Sequence, residues 1–163
     1  MFVAAAATST GDFRNEGANA VPIWLDYTSL RQCIFDDFNL PHICELIMSV
    51  PVFVAAPDSI SYTSRSFCVF ELYNAHRGRV QGDQELWVTQ NFAPNTKRMR
   101  AECESISTTT AGTRSRTHKE LIDTYIIKNI PNGFAGLDKM VADVFMESVE
   151  RGGVGGGCKY SIQ

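Results

Sequence analysis

The sequence predicts an α/β fold built on an open, mostly parallel sheet with flanking helices. Two short, continuously apolar, β-prone runs, VPIWLDY at 21–27 and VPVFVAA at 50–56, have the length of buried parallel strands. Each leads through a short linker into apolar residues at helical spacing, and alternation of strand and helix is the pattern of a sheet wound on both faces. The composition agrees: 163 residues, 44% hydrophobic and 20% charged, suit one domain that buries roughly 70% of the surface its unfolded chain exposes.

Residues 1–20 are small and polar with little apolar periodicity and read as a disordered leader. The strand at 21–27 reaches its surface loop at Asp26. Pro41 then fits a first helical turn, and Leu40, Ile43, Cys44, Leu46 and Ile47 line one face of the helix it opens. The strand at 50–56 is closed by Pro57 and Asp58. Residues 64–76 carry apolar side chains around the whole helix, which implies burial on more than one face. A weaker third strand is ELWVTQ at 85–90. Thr117 and Glu120 form a capping box, followed by a helix with Leu121, Ile122, Tyr125, Ile126 and Ile130 on its apolar face, which Asn132 and Gly133 end. Leu137, Met140, Val141, Val144 and Phe145 mark a last helix. The α/β domain thus spans 21–150, and 151–163 is a flexible Gly-rich tail. Open sheets normally hold four to six strands, so further strands are hidden in the leader and in 91–110, or the domain is incomplete. Leu25, Ile47, Val52, Val54, Leu72 and Ile126 are the expected core.

A net charge of −3 gives no drive toward nucleic acid or an anionic membrane, and neither is expected as a partner. Residues 97–119 hold six Lys/Arg against Glu102 and Glu104 and read as a solvated loop. Cys33, Cys44, Cys68, Cys103 and Cys158 include no CxxC pair, and no His stands at ligand spacing, so no metal and no cofactor are expected. Reduced thiols in a cytoplasmic protein fit this set. The N-terminus lacks a charged n-region, and the longest apolar stretch, Leu46–Ala56, is shorter than the roughly 20 residues of a membrane helix.

WLDYTSLRQ (24–32), LIMSVPVFVAAPDS (46–59) and YTSRSFCVFELYNA (62–75) together resemble TIR-like (Toll/interleukin receptor) domains, in which a strand ending in Asp precedes a helix opening S-x-W-C-x-x-E-L. Here that motif reads Ser66-Phe67-Cys68-Val69-Phe70-Glu71-Leu72, with Phe in place of Trp. Residues 118–141 also look like the closing helices of TIR-like families in protists and algae. The resemblance implies a flavodoxin-like topology that lacks its first strand and helix, leaving the W-L-D strand with an unpaired edge prone to associate. It also implies a signalling or protein-interaction module whose partners are copies of itself or other TIR-like domains, with Arg31 and Gln32 in the contact loop, a position that a plain solvated loop explains equally well.

Its enzymatic alternative is hydrolysis of NAD+, in which Glu71 corresponds to the catalytic carboxylate of NAD-cleaving TIR domains. Cleaving the nicotinamide–ribose bond passes through an oxocarbenium-like state, which a carboxylate on the ribose hydroxyls stabilises. Ligands of open α/β sheets bind outside the carboxyl ends of the strands, which brings Asp26, Asp58 and Arg65 toward Glu71 as ligand-binding residues. Glu71 falls on an otherwise apolar helical stripe, where burial would raise its pKa unless Arg65 or a ligand hydroxyl offsets the cost. An ion-paired framework role accounts for such a carboxylate equally simply and more often. Asp26 serves more commonly as a cap or turn former, and Cys68 as plain core. His42, His76 and His118 read as surface or capping residues. A phosphoacceptor receiver domain using Asp26 would need an upstream acidic pair and a downstream Lys that the sequence lacks.

Overall fold

A computed structural model describes residues 2–5, 23–25, 39–55, 60–88, 101 and 103–150, the first two segments as backbone. The chain divides into two compact units, Met1–Ala55 with Asn74–Trp87, and Ala56–Tyr73 with Val88–Gln163.

The first unit carries β1 (Phe2–Ala5), β2 (Ile23–Leu25), α1 (Leu40–Ser49), β3 (Val52–Ala55) and β4 (Glu85–Val88), the last reaching one residue beyond the unit. The strands form one sheet in the order β2-β1-β3-β4. The expectation of a mostly parallel sheet is corrected here: β1 runs antiparallel to β2, with Val3 opposite Leu25, and antiparallel to β3, with Val3 opposite Val54. β3 and β4 form the parallel pair. The reason lies in the leader, whose apolar FVAA segment supplies a strand that sequence periodicity did not reveal. Thus the W-L-D strand has a neighbour, furnished by the residues just ahead of it.

Helix α1 starts where Asn39, in extended backbone, accepts the His42 N–H at 3.2 Å and Pro41 occupies the first turn. It stops at Val50, which precedes Pro51 and is extended at φ −76°, ψ 136°. Leu40, Ile43, Cys44 and Ile47 are its buried stripe. In β3 the buried members are Phe53 and Ala55, while Val52 and Val54 are half-buried, so the phase of the expected core shifts by one residue. Gln84 staples this unit: its buried amide donates to the carbonyls of Ile47 (2.6 Å) and Val50 (2.7 Å), two acceptors left over at the end of α1. Gly78 leaves room for it, since a Cβ there would strike the Gln84 side chain.

The second unit holds a 3-10 turn at Ile60–Ser64, the first half of α2 (Ser66–Gln81), a 3-10 turn at Thr108–Thr110, α3 (Arg116–Asn129) and α4 (Gly133–Glu150). The cap of α3 is Ser115, whose Oγ accepts the His118 N–H at 3.3 Å, rather than Thr117. Glu120, expected to close a capping box, instead pairs with Arg116 at 2.8 Å. Pro131 ends α3 by holding Ile130 extended, and Asn132 and Gly133 turn the chain with φ of 64° and 56°. α3 and α4 then pack together, with Ile122 and Ile126 on one and Leu137 and Val141 on the other all buried. Edge-on rings add Phe70–Tyr125 at 5.2 Å and Tyr62–Phe145 at 5.9 Å. Ile47, Leu72 and Ile126 are thus core as expected, and only backbone is described at Leu25.

Replacing Gln84 with Ala strands two backbone carbonyls, and we expect a loss of about 2 kcal/mol in urea unfolding; a loss within error of zero would dismiss the staple. Gly136→Ala tests the α3–α4 junction. An Ala in a helix ordinarily gains about 1 kcal/mol over Gly, but a Cβ here meets the Pro131 carbonyl. The variant should therefore be less stable by roughly 1–3 kcal/mol, and a stabilised variant would refute the close approach.

Candidate functional site at the start of helix α2

From Cys68 to Ala75 every residue of α2 is buried. A helix with no solvent face has to be positioned from its end, and its start is held by distant chain. Ser66 donates its N–H to Gly112 O (3.0 Å) and its hydroxyl to Ala111 O (2.9 Å), while Gly112 N–H returns to Ser64 O (2.8 Å). These bonds form a parallel bridge between Arg65 and Gly112. They also satisfy a first-turn donor that Arg65, which precedes the helix, has no acceptor side chain to cap. The 3-10 turn beside them is fixed in its turn by Asp138, whose Oδ1 accepts the N–H (2.7 Å) and the hydroxyl (2.6 Å) of Thr108.

The reading of 97–119 as a solvated loop holds at Arg114 and Arg116, which are exposed, but the segment is also anchored to the core. Among its described residues Cys103, Thr108, Ala111 and His118 are buried. Sequence reasoning missed Ser66, Thr108 and Asp138, because hydroxyls and carboxylates that meet across long separations leave no periodic trace.

Around that start, Arg65 donates from Nε to Cys68 Sγ at 3.1 Å, and the Tyr62 hydroxyl donates to the Cys68 carbonyl at 3.2 Å. Burial pushes the Cys68 thiol from 9.0 up to about 11; the Arg65 hydrogen bond opposes the rise, and the charge of Glu71 adds to it. At neutral pH Cys68 is a buried thiol rather than a nucleophile. Glu71, one turn further on, is 1% exposed, and both its carboxylate oxygens are closed to solvent.

Of the sequence-derived site residues, the structure thus brings Arg65 and Glu71 to one neighbourhood around Cys68. Asp26, Asp58, Arg31 and Gln32 lie outside the described residues. His118, expected at the surface or in a cap, lies in the capped first turn of α3 and is buried, with its ring edge-on to Phe67 at 5.8 Å. Among the described residues no helix is long and apolar enough to cross a membrane, and no group of His, Cys, Asp and Glu is placed to hold a metal ion. No protein-family model matches the chain, and no curated protein or solved structure matches it.

Burial holds the His118 pKa below its ordinary 6.5. The folded chain therefore resists a proton that the unfolded chain takes up, and the resulting stabilisation, complete above pH 6.5, is lost as pH falls below it. Denaturant titrations at neutral and mildly acidic pH should show wild type losing more stability than His118→Gln. Parallel losses in the two proteins would exclude His118 as a source of acid sensitivity.

Proposed function

We propose that this chain is a TIR-like signalling or protein-interaction module that works in the cytoplasm by self-association or by docking to similar domains. The observation that carries this reading is the enclosure of Glu71. A carboxylate that stabilises an oxocarbenium ion must touch the sugar, whereas Glu71 is closed to solvent on both oxygens inside a fully buried helical run. In this arrangement Glu71 serves the framework of α2, and the remaining chemistry of the fold is contact with other proteins. Large apolar side chains available for such contact are Val80 and Trp87 in the first unit and Leu121 and Ile127 in the second. Hydrolysis of NAD+ with Glu71 as catalyst is the alternative that the resemblance carries.

The deciding experiment incubates purified wild type and Glu71→Gln with NAD+ and measures nicotinamide, alongside sedimentation of wild type over a concentration series. We expect no nicotinamide from either protein and an increase in mean mass with concentration. Release by wild type that Glu71→Gln abolishes, with circular dichroism unchanged, would replace the interaction module by the enzyme.

A further inference from the structure

We propose that α3 bears a self-complementary surface through which two copies of this chain pair antiparallel about Thr124. The proposal rests on the self-association reading above and assigns its surface. Thr117, Glu120, Leu121, Thr124, Ile127 and Lys128 are all exposed, while His118, Ile122 and Ile126 turn inward. Leu121 is 44% and Ile127 66% exposed, so two large aliphatic side chains stand in water on one helix. Thr124 lies midway between them, and its hydroxyl donates to the Glu120 carbonyl at 2.7 Å. With that polar group satisfied inside the helix, its methyl is the contact it offers outward.

The order of chemistry along this face is acid, aliphatic, threonine, aliphatic, base. Leu121 stands three residues before Thr124 and Ile127 three after; Glu120 stands four before and Lys128 four after. A two-fold axis at Thr124 running the helices antiparallel sets Leu121 level with Ile127 of the second copy. It also sets each Glu120 level with Lys128 of the second copy. The same face paired parallel and in register sets Glu120 against Glu120 and Lys128 against Lys128. Charge therefore selects the antiparallel arrangement, which also opposes the two helix dipoles. Such a contact is isologous and closes at two copies.

Glu120 is now engaged with Arg116 on the same helix, with side chains 63% and 92% exposed respectively. A pair that wet is worth little, so Glu120 exchanges it for Lys128 of the second copy at small cost. One helix face covers less than the roughly 800 Å² per partner of a stable complex, so the association is weak and salt-sensitive.

The test is sedimentation velocity of the full chain at low salt, from about 10 to about 500 µM, a range suited to a small interface. We expect wild type to dimerise, and Glu120→Lys and Lys128→Glu each to weaken dimerisation roughly tenfold, because each turns both symmetric charge contacts repulsive. The double variant E120K/K128E restores opposite charges across the axis and should return close to wild type, a rescue that damage to the helix cannot produce. Circular dichroism of each variant confirms that α3 is intact. Wild-type dimers indifferent to both single exchanges, or a double variant weaker than either single one, would overturn the α3 contact and leave self-association standing. A wild-type chain monomeric at every concentration would overturn both.

Discussion

The stretch of α2 from Cys68 to Ala75 has no face toward water, and most of what surrounds it follows from that constraint. A helix of this kind cannot be oriented by an amphipathic stripe, the usual device for seating a helix on a core. Its polar groups need partners within the protein, and each unmade bond costs about 1–3 kcal/mol. Ser66 meets this demand through Ala111 and Gly112, and Tyr62 reaches the Cys68 carbonyl. Tyr73, at the end of the second unit's share of the helix, donates its hydroxyl to the Asn129 carbonyl at 3.3 Å, one of the acceptors left open where α3 stops. The buried helix is thus hydrogen-bonded to what it packs against.

The same enclosure sets the electrostatics around Cys68. Glu71 lies where its charge falls on a neighbouring thiol, and Cys68 is held protonated by burial and by that charge. Arg65 works in the opposite direction, stabilising the thiolate with its hydrogen bond and positive charge without reversing the rise. The outcome is a thiol that stays protonated at neutral pH. In the second unit, Lys119 and Asp123 pair at 2.5 Å on the half-buried flank of α3, while the apolar Leu121 and Ile127 stand exposed on the same helix.

Local chemistry was legible in the sequence and long-range pairing was not. Pro41 at the start of α1, the all-round apolar character of α2 and the turn at Asn132 and Gly133 follow from backbone geometry and periodicity, which act over a few residues. The cap of α3 was misplaced by two residues, because Ser115 and Thr117 both offer a hydroxyl and only the path of the incoming loop chooses between them. β1 escaped notice because a short FVAA segment beside small polar residues carries no alternation. Its antiparallel entry between β2 and β3 then changed the character of the sheet. In β3 the apolar run concealed which face is deeper, since Val52 through Ala55 are apolar on both sides. At the candidate site, the nearness of Arg65 and Glu71 to Cys68 is local, each standing three residues from it along the chain. Ser66 gave no hint that its acceptor lies 45 residues away.

That separation has a consequence for how the chain matures as it is made. The run that becomes α2 leaves the ribosome well before Ala111 and Gly112 do, so for that interval Ser66 has neither acceptor and the apolar stretch after it lacks part of its cover. Synthesis at about 5–20 residues per second makes the wait a matter of seconds, far longer than the microsecond in which a helix forms. The first turn of α2 therefore waits for Ala111 and Gly112, just beyond the 3-10 turn at 108–110, before its bonds to them can close.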